Sequence, residues 1–267
     1  VLESHPPAAM THTPDVAWPT LAVLAGVYAL WGLGAWIGSW TGFAIVALAA
    51  FWAFTPMHDA AHGSVSRRAW INGAVGHAAA FVLNGPFACF KHLHLTHHRF
   101  TNEPGADPDF WAGTGASWQL PLRWLTQELH YYAWYFARWS SRPRAERLSL
   151  ILSLGTQAIA AVLVFTPGVL FYWIVPAKLA SALLAFSFDY LPHRPHSVPA
   201  REDRYRASHV IDEPLLTPLF LFQNYHLIHH LHPGVPFYGY TALWRRQKEF
   251  LLSRGTRVMR FPRLSTG

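Results

Sequence analysis

Residues 42–62 read GFAIVALAAFWAFTPMHDAAH, an apolar run that ends in two histidines four positions apart. A membrane-spanning helix needs about 20 mostly apolar residues. Gly42 to Met57 is slightly short for that, but it follows the full-length apolar stretch Trp18 to Ile37 after only a Gly-Ser-Trp-Thr turn. Together they predict a helical hairpin across a bilayer. Leu148 to Phe165 and Gly168 to Phe188 predict a second hairpin, turning at Thr166-Pro167. The expected fold is therefore all-α and integral to the membrane, with four transmembrane helices.

Charge supports this reading. Charged residues make up 13% of the chain, against about 25% in soluble domains. The net charge of +7 is unevenly placed. No Lys or Arg precedes Arg67, and neither expected turn carries a charge. Arg67 to Arg147 holds nine basic residues and Arg194 to Arg263 holds eleven. Basic loops stay in the cytoplasm, so both termini and both basic regions are expected there. No nucleic-acid fold motif accompanies the charge, which argues against nucleic acid as a partner. Cys89 is the only cysteine, so an internal disulfide, a CxxC pair and a cysteine-ligated cluster are excluded.

The remaining stretches sort around these spans. Residues 1–17 lack the basic start of a secretory signal and are expected to be a disordered tail. Residues 18–267 then form a single domain, with a cytoplasmic cap from 58–147 and 189–267. Trp70 to Phe90 is apolar but interrupted by Asn72, His77, Asn84 and Pro86, which predicts a re-entrant or interfacial segment. Leu120 to Trp139 mixes aromatic residues with Arg123 and Arg138, as suits a helix in the headgroup layer. Pro214 to Phe222 is a shorter stretch of that kind.

Three histidine clusters lie in the cap: His58 and His62, then His94, His97 and His98, then His226, His229 and His230. Residues three and four apart on a helix share a face. Each cluster can thus aim two or three imidazoles at one point. Eight histidines exceed what one tetrahedral metal uses, so two metal ions in an all-nitrogen shell are expected. The rival reading is chance adjacency among 17 histidines. Glu-x-x-His pairs, the ligands of soluble di-iron bundles, do not occur. Asp59 is placed to hold a ligand's second N–H, or simply to be solvated. Asp107 and Asp109 can orient the second cluster or shape the turn at Pro108. Asn224 stands before the third cluster in a similar position. His77, His92, His196 and His232 fall off the pattern and are not expected to be ligands.

The chain resembles the membrane fatty acid desaturase and hydroxylase superfamily over roughly Phe54 to Tyr240. Within it the similarity is to the desaturase-like non-haem β-carotene hydroxylases. It is carried by His58–His62, Ile71-Asn-Gly-Ala-Val-Gly-His77, Ala106-Asp-Pro-Asp-Phe110, Phe188-Asp-Tyr-Leu-Pro-His-Arg-Pro-His196 and Gln223-Asn-Tyr-His-Leu-Ile-His-His230. Asp189-Tyr-Leu-Pro-His-Arg-Pro195 is similar to carotenoid hydroxylases and ketolases more than to acyl desaturases. The resemblance implies two iron ions, dioxygen as co-substrate and electrons from a separate ferredoxin-like carrier. It implies that the eight clustered histidines are ligands, with His193 as a ninth. Asp189 then matches a polar residue that reaches the metal through water; its plainer reading is a solvated helix end or a partner of Arg194.

The implied reaction is oxidation of an unactivated C–H bond in a lipid-soluble substrate, with β-carotene 3-hydroxylation to zeaxanthin favoured. Alternatives are an acyl-lipid or acyl-CoA desaturase, a carotenoid ketolase, a zinc membrane hydrolase and a metal transporter. A transporter places its ligating groups near the midplane of its spans, whereas these clusters flank theirs. Lys178, in the middle of the fourth expected span, has no acidic partner in the first three. Such a residue costs about 2.5–3.5 kcal/mol on insertion scales and is left without a role by the sequence.

Overall fold

Two glycines set how the first two helices meet. Gly38, at φ +65°, ends α1 (Trp18–Ile37), and its N–H donates to the Gly34 carbonyl. Ser39 then caps α2 (Trp40–Ala61). Across the contact, a Cβ on Gly34 would meet the Gly42 carbonyl oxygen at 2.7 Å. Small residues at both positions let the backbones approach closely, which is how helices associate where both solvent and side chains are apolar. The computed structural model describes residues 12–163 and 167–260. Residues 1–11 of the expected tail, the expected turn at Thr166 and the end of the third span past Leu163 lie outside the described residues.

Among the described residues, four helices are long and apolar enough to cross a membrane: α1, α2, α6 (Arg144–Leu163) and α7 (Leu170–His193). α2 is central and packs on α1, α3 (Ala69–Val82) and α7. Its lower half, Ala53 to Ala61, is wholly buried. α1 and α6 instead turn most of their apolar surface outward, Val162 and Leu163 being 71% and 79% exposed. That is the arrangement of helices solvated by lipid. Trp18, Trp36 and Trp40 are also exposed at the ends of α1 and α2, where indole rings suit the headgroup layer.

The helices run further than apolar composition suggested. α2 continues to Ala61, so His58 lies inside its last turn, with His62 as its C-cap. α7 extends past Phe188 to His193, and its residues Ala185–Tyr190 form a π-helical stretch. The expected re-entrant segment is a broken pair: α3 and α4 (Phe87–Phe100) meet at 104°. Asn84, at φ +55°, and Pro86 form the break. The aromatic stretch forms α5 (Leu120–Phe136), and α8 (Leu216–Leu219) occupies the shorter one. α9 (His226–Leu231) and α10 (Tyr240–Ser253) complete the helices.

Two expectations need correction. The fold is not wholly α: β1 (Val210–Ile211) pairs in parallel with β2 (Val258–Met259). Nor does the packed structure begin at Trp18. The Ala17 N–H donates to the Val65 carbonyl at 2.7 Å, and the Thr13 hydroxyl donates to the Gly234 carbonyl at 3.3 Å. Residues 13–17 thus run along the histidine-bearing end.

Lys178 finds its partner outside the four spans. Its Nζ lies 2.6 and 2.7 Å from the two carboxylate oxygens of Glu128 on α5, and 3.4 Å from the Asn84 carbonyl. Tyr132 also donates to Glu128, at 3.0 Å. One ammonium thereby joins α5, α7 and the α3–α4 break. Removing one member of such a pair leaves an unmatched charge in apolar surroundings, which costs more than removing both. Glu128→Gln is therefore expected to cost about 3 kcal/mol, and adding Lys178→Met should recover most of it. Thermal unfolding of detergent-solubilised variants checks this. Equal losses in the single and double variants would show that the pair does not hold the fold.

Candidate metal centre

A helix turns about 100° per residue, so neighbouring side chains cannot aim at one point. The His-x-x-His-His clusters follow that rule and divide. On α4, His94 and His98 point to one place while His97 points to another. On α9, His226 and His230 share a direction while His229 takes the other. The result is two groups instead of three. His58, His62, His94, His98 and His229 bring their donor nitrogens together, and so do His97, His193, His226 and His230. Within each group these atoms all lie within 4.8 Å of one another. The idea that each cluster serves one point is thus replaced by clusters shared between two.

The facing atoms are Nε2 throughout. His229 Nε2 is 2.9 Å from that of His58 and 2.8 Å from that of His98. His62 and His94 meet at 2.8 Å. In the second group, His226 Nε2 is 2.9 Å from His193 and 3.0 Å from His230, which lies 3.3 Å from His97. A shared proton satisfies one such pair, but His229, His226 and His230 each face two partners. A metal ion bound at about 2.1 Å from each nitrogen spaces adjacent donors about 3 Å apart. The two sets can each hold a metal on that geometry. Burial also lowers the His226, His229 and His230 imidazoles well below the ordinary histidine range. They are therefore neutral, which is the form that ligates.

For three of the nine histidines the opposite ring nitrogen is held by protein. Asp107 Oδ1 lies 2.9 Å from His97 Nδ1, and Asp109 Oδ2 lies 3.4 Å from it. Asp107 is itself fixed by the N–H groups of Asn102 at 2.7 Å and Asp109 at 2.9 Å. The Tyr131 hydroxyl donates to Asp109. His229 Nδ1 is 3.0 Å from the Tyr240 hydroxyl, and His193 Nδ1 donates to the Ala207 carbonyl at 3.3 Å. Such contacts fix ring orientation and tautomer. Tyr131 and Tyr240 escaped the sequence reading. Tyr131 was one of several aromatics in an interfacial helix, and nothing in the sequence tied either to a histidine.

Three other predicted residues are placed differently. The Asp59 carboxylate faces no imidazole: it accepts from the Thr20 hydroxyl at 2.8 Å and from the Phe237 N–H at 3.2 Å. It joins α1 to the turn before α10. The Asn224 amide donates to the Ile211 carbonyl and the Thr217 hydroxyl, at 2.8 and 3.0 Å, and so shapes the approach to α9. Asp189 is in neither histidine group; it lies 3.5 Å from the Tyr131 hydroxyl, on the wall of an apolar pocket. His77, His92, His196 and His232 also stand outside both groups. His196 is nonetheless buried, its ring filling the space where a Cβ on Gly113 would lie.

Comparison with known proteins follows this geometry. A family model described as fatty acid desaturase matches residues 34–262. The chain is 34% identical over 190 residues to a β-carotene ketolase of Paracoccus sp. (strain PC1), covering 69% of this chain and 70% of that protein. It is 25% identical over 300 aligned positions to an sn-1 oleoyl-lipid 12-desaturase of Picosynechococcus sp. (strain ATCC 27264 / PCC 7002 / PR-6), covering 94% and 83%. An sn-1 acyl-lipid omega-3 desaturase (ferredoxin) of Nostoc sp. (strain 36) is 30% identical over 98 residues, covering 35% and 27%.

His97 offers the sharpest test of the donor sets. His97→Ala is expected to lower metal content and abolish turnover. Asp107→Asn keeps the shape but weakens the hold on the ring, and should reduce metal affinity about 10–100-fold. Elemental analysis of the purified variants after graded chelation gives both. Wild-type metal retention in His97→Ala would remove that residue from the centre.

Proposed function

Because this chain belongs to the fatty acid desaturase family, we propose that it is a dioxygen-dependent membrane oxidoreductase acting on a C–H bond of a carotenoid ring. The observation that carries this reading is the junction between the histidines and an apolar pocket. The pocket, a cavity of about 100 Å³ open at one side, lies between α2, the α3–α4 break, α5 and α7. Phe54 and Phe90 are part of its wall. The Phe54 ring stacks on His58 and the Phe90 ring on His94, each at 5.2 Å between centroids. An apolar chain lying against these two rings has the five-histidine group directly behind them.

The donor sets suit iron as the family implies. His58, His62, His94, His98 and His229 would hold one ion, and His97, His193, His226 and His230 the other. Such a pair would supply, from dioxygen and two electrons, an oxidant strong enough for an unactivated C–H bond. The chain's own contribution is positional. Asp107 and Tyr240 keep His97 and His229 turned inward. Phe54, Phe90 and Leu184 exclude water from the reacting end of the pocket. Asp189, on that wall and one helical turn before His193, is assigned to hold a water toward the second ion.

The product is read from likeness. The Paracoccus relative favours a ring ketone. That requires two successive oxygenations of one methylene carbon, followed by loss of water. Hydroxylation at C3 needs one oxygenation per ring, so zeaxanthin forms through cryptoxanthin after both rings have reacted; it is the second reading, supported by Asp189–Pro195. An acyl-lipid double bond is the third, supported by the 12-desaturase likeness. The name of the Nostoc relative makes a ferredoxin-type protein the proposed electron donor. The distribution of Lys and Arg supports a cytoplasmic histidine-bearing end.

Expression in cells that accumulate β-carotene, followed by analysis of pigments and acyl lipids, tests the assignment. A new ring ketone is the expected result, and a ring hydroxyl supports the second reading. Unchanged pigments beside newly unsaturated acyl chains would sink the carotenoid assignment. Product formation without oxygen would sink the chemistry.

A further inference from the structure

α4 has two working faces. His94, His97 and His98 point into the metal centre. Lys91, Leu95 and Arg99, spaced four apart, form one stripe on the outside, and all three are exposed. Leu95 is 40% exposed. A groove runs along this stripe, with Arg138 and Arg142 on its other wall. The Arg138 guanidinium lies 3.5 Å from the Trp134 ring centre, and Arg142 is 2.6 Å from His92. Lining the groove are four cations and one carboxylate, Glu146, which already lies 4.0 Å from Arg142.

The stripe sits beside the most accessible edge of the centre. Within the five-histidine group, His62 and His98 are the partly exposed members. A carrier seated on this stripe is separated from three of the donor imidazoles by a single helix, about 10 Å across.

We propose that the Lys91–Leu95–Arg99 face of α4 docks an acidic one-electron carrier of the ferredoxin type. Lys91 and Arg99 pair with its carboxylates, and Leu95 is covered at the middle of the contact. The inference rests on the oxygenase reading above. Each oxygenation consumes the substrate C–H, one dioxygen, two protons and two electrons, and gives C–OH and one water. Two reduced carriers therefore visit in turn, each losing one electron. A surface used twice per turnover must release its partner, which suits a small, charge-steered and salt-sensitive contact.

The test uses the full chain in liposomes, with either reduced [2Fe–2S] ferredoxin or dithionite as donor. Lys91→Glu/Arg99→Glu is expected to raise the KM for ferredoxin about tenfold or more at low salt. Dithionite-driven turnover should stay at the wild-type rate, because dithionite needs no docking surface. Arg246→Glu/Arg254→Glu, with the same change of charge on α10 and just beyond its end, should leave the KM unchanged. An unaltered KM in the α4 variant, or an equal rise in the α10 variant, overturns the proposal. Loss of both activities, reversed by changing the anionic lipid content, would mark the groove as a headgroup site and also overturn it. Wild-type protein that consumes no oxygen with either donor would instead reject the oxygenase reading itself.

Discussion

Imidazole rings by themselves do not draw helices together, yet nine of them converge here in two groups. They come from α2, α4, α7 and α9, and the facing pair His58 and His229 is 171 residues apart in the chain. Something other than the rings must bring these helices together. Asp59 does much of it: its carboxylate reaches the Thr20 hydroxyl on α1 and the Phe237 N–H before α10, and its neighbour His58 is thereby fixed. The Leu227 N–H donates to the His209 carbonyl at 3.2 Å, and the Ile211 N–H to the Asn224 carbonyl at 2.9 Å. These backbone bonds anchor α9. The two histidine groups are thus organised by hydrogen bonds made one or two residues away from the histidines.

The same logic explains why the centre has two halves. A His-x-x-His-His run on one helix supplies an i, i+4 pair and one ring turned about 100° away from its neighbour. Two such helices, α4 and α9, meet with their odd rings crossed: His229 joins the α4 pair, and His97 joins the α9 pair. Each group therefore depends on both helices, and neither forms on one element alone. The two groups touch where the His98 and His230 rings stack at 4.2 Å. His58 and His62 complete the first group. His193 completes the second, in the 3-10 turn that follows the π-helical stretch of α7.

Much of this was legible in the sequence because periodicity and composition are local signals. α1 begins and ends where its apolar run does. The eight clustered histidines all enter the two groups, and His193 lies in the second of them. What was not legible depends on tertiary contact. Nothing local says that Asp59 faces Thr20 while Asp107 faces His97, since both are carboxylates near a histidine cluster. Tyr240 lies eleven residues after His229, beyond the reach of any helical spacing rule. α2 and α7 overran their expected ends because burial of the histidine-bearing turns, not hydrophobicity, sustains the helix there.

Lys178 shows how the membrane half and the metal half are joined. Its partner Glu128 and the pocket residue Tyr131 are three apart on α5, so they share a face. Glu128 binds the ammonium near the α3–α4 break, while Tyr131 donates to Asp109, which contacts His97. α5 is therefore pinned at one point by an ion pair and at another, one helical turn on, by the carboxylates around the second histidine group. Both residues line the pocket that Phe54 and Phe90 close against the first group. The width of that pocket is set by where α5 lies, and α5 is located by polar contacts in apolar surroundings. Such contacts have few alternatives, because an unpaired charge or carboxylate there is costly. A rigid pocket is what the proposed C–H oxidation needs, since such a reaction chooses its carbon by position.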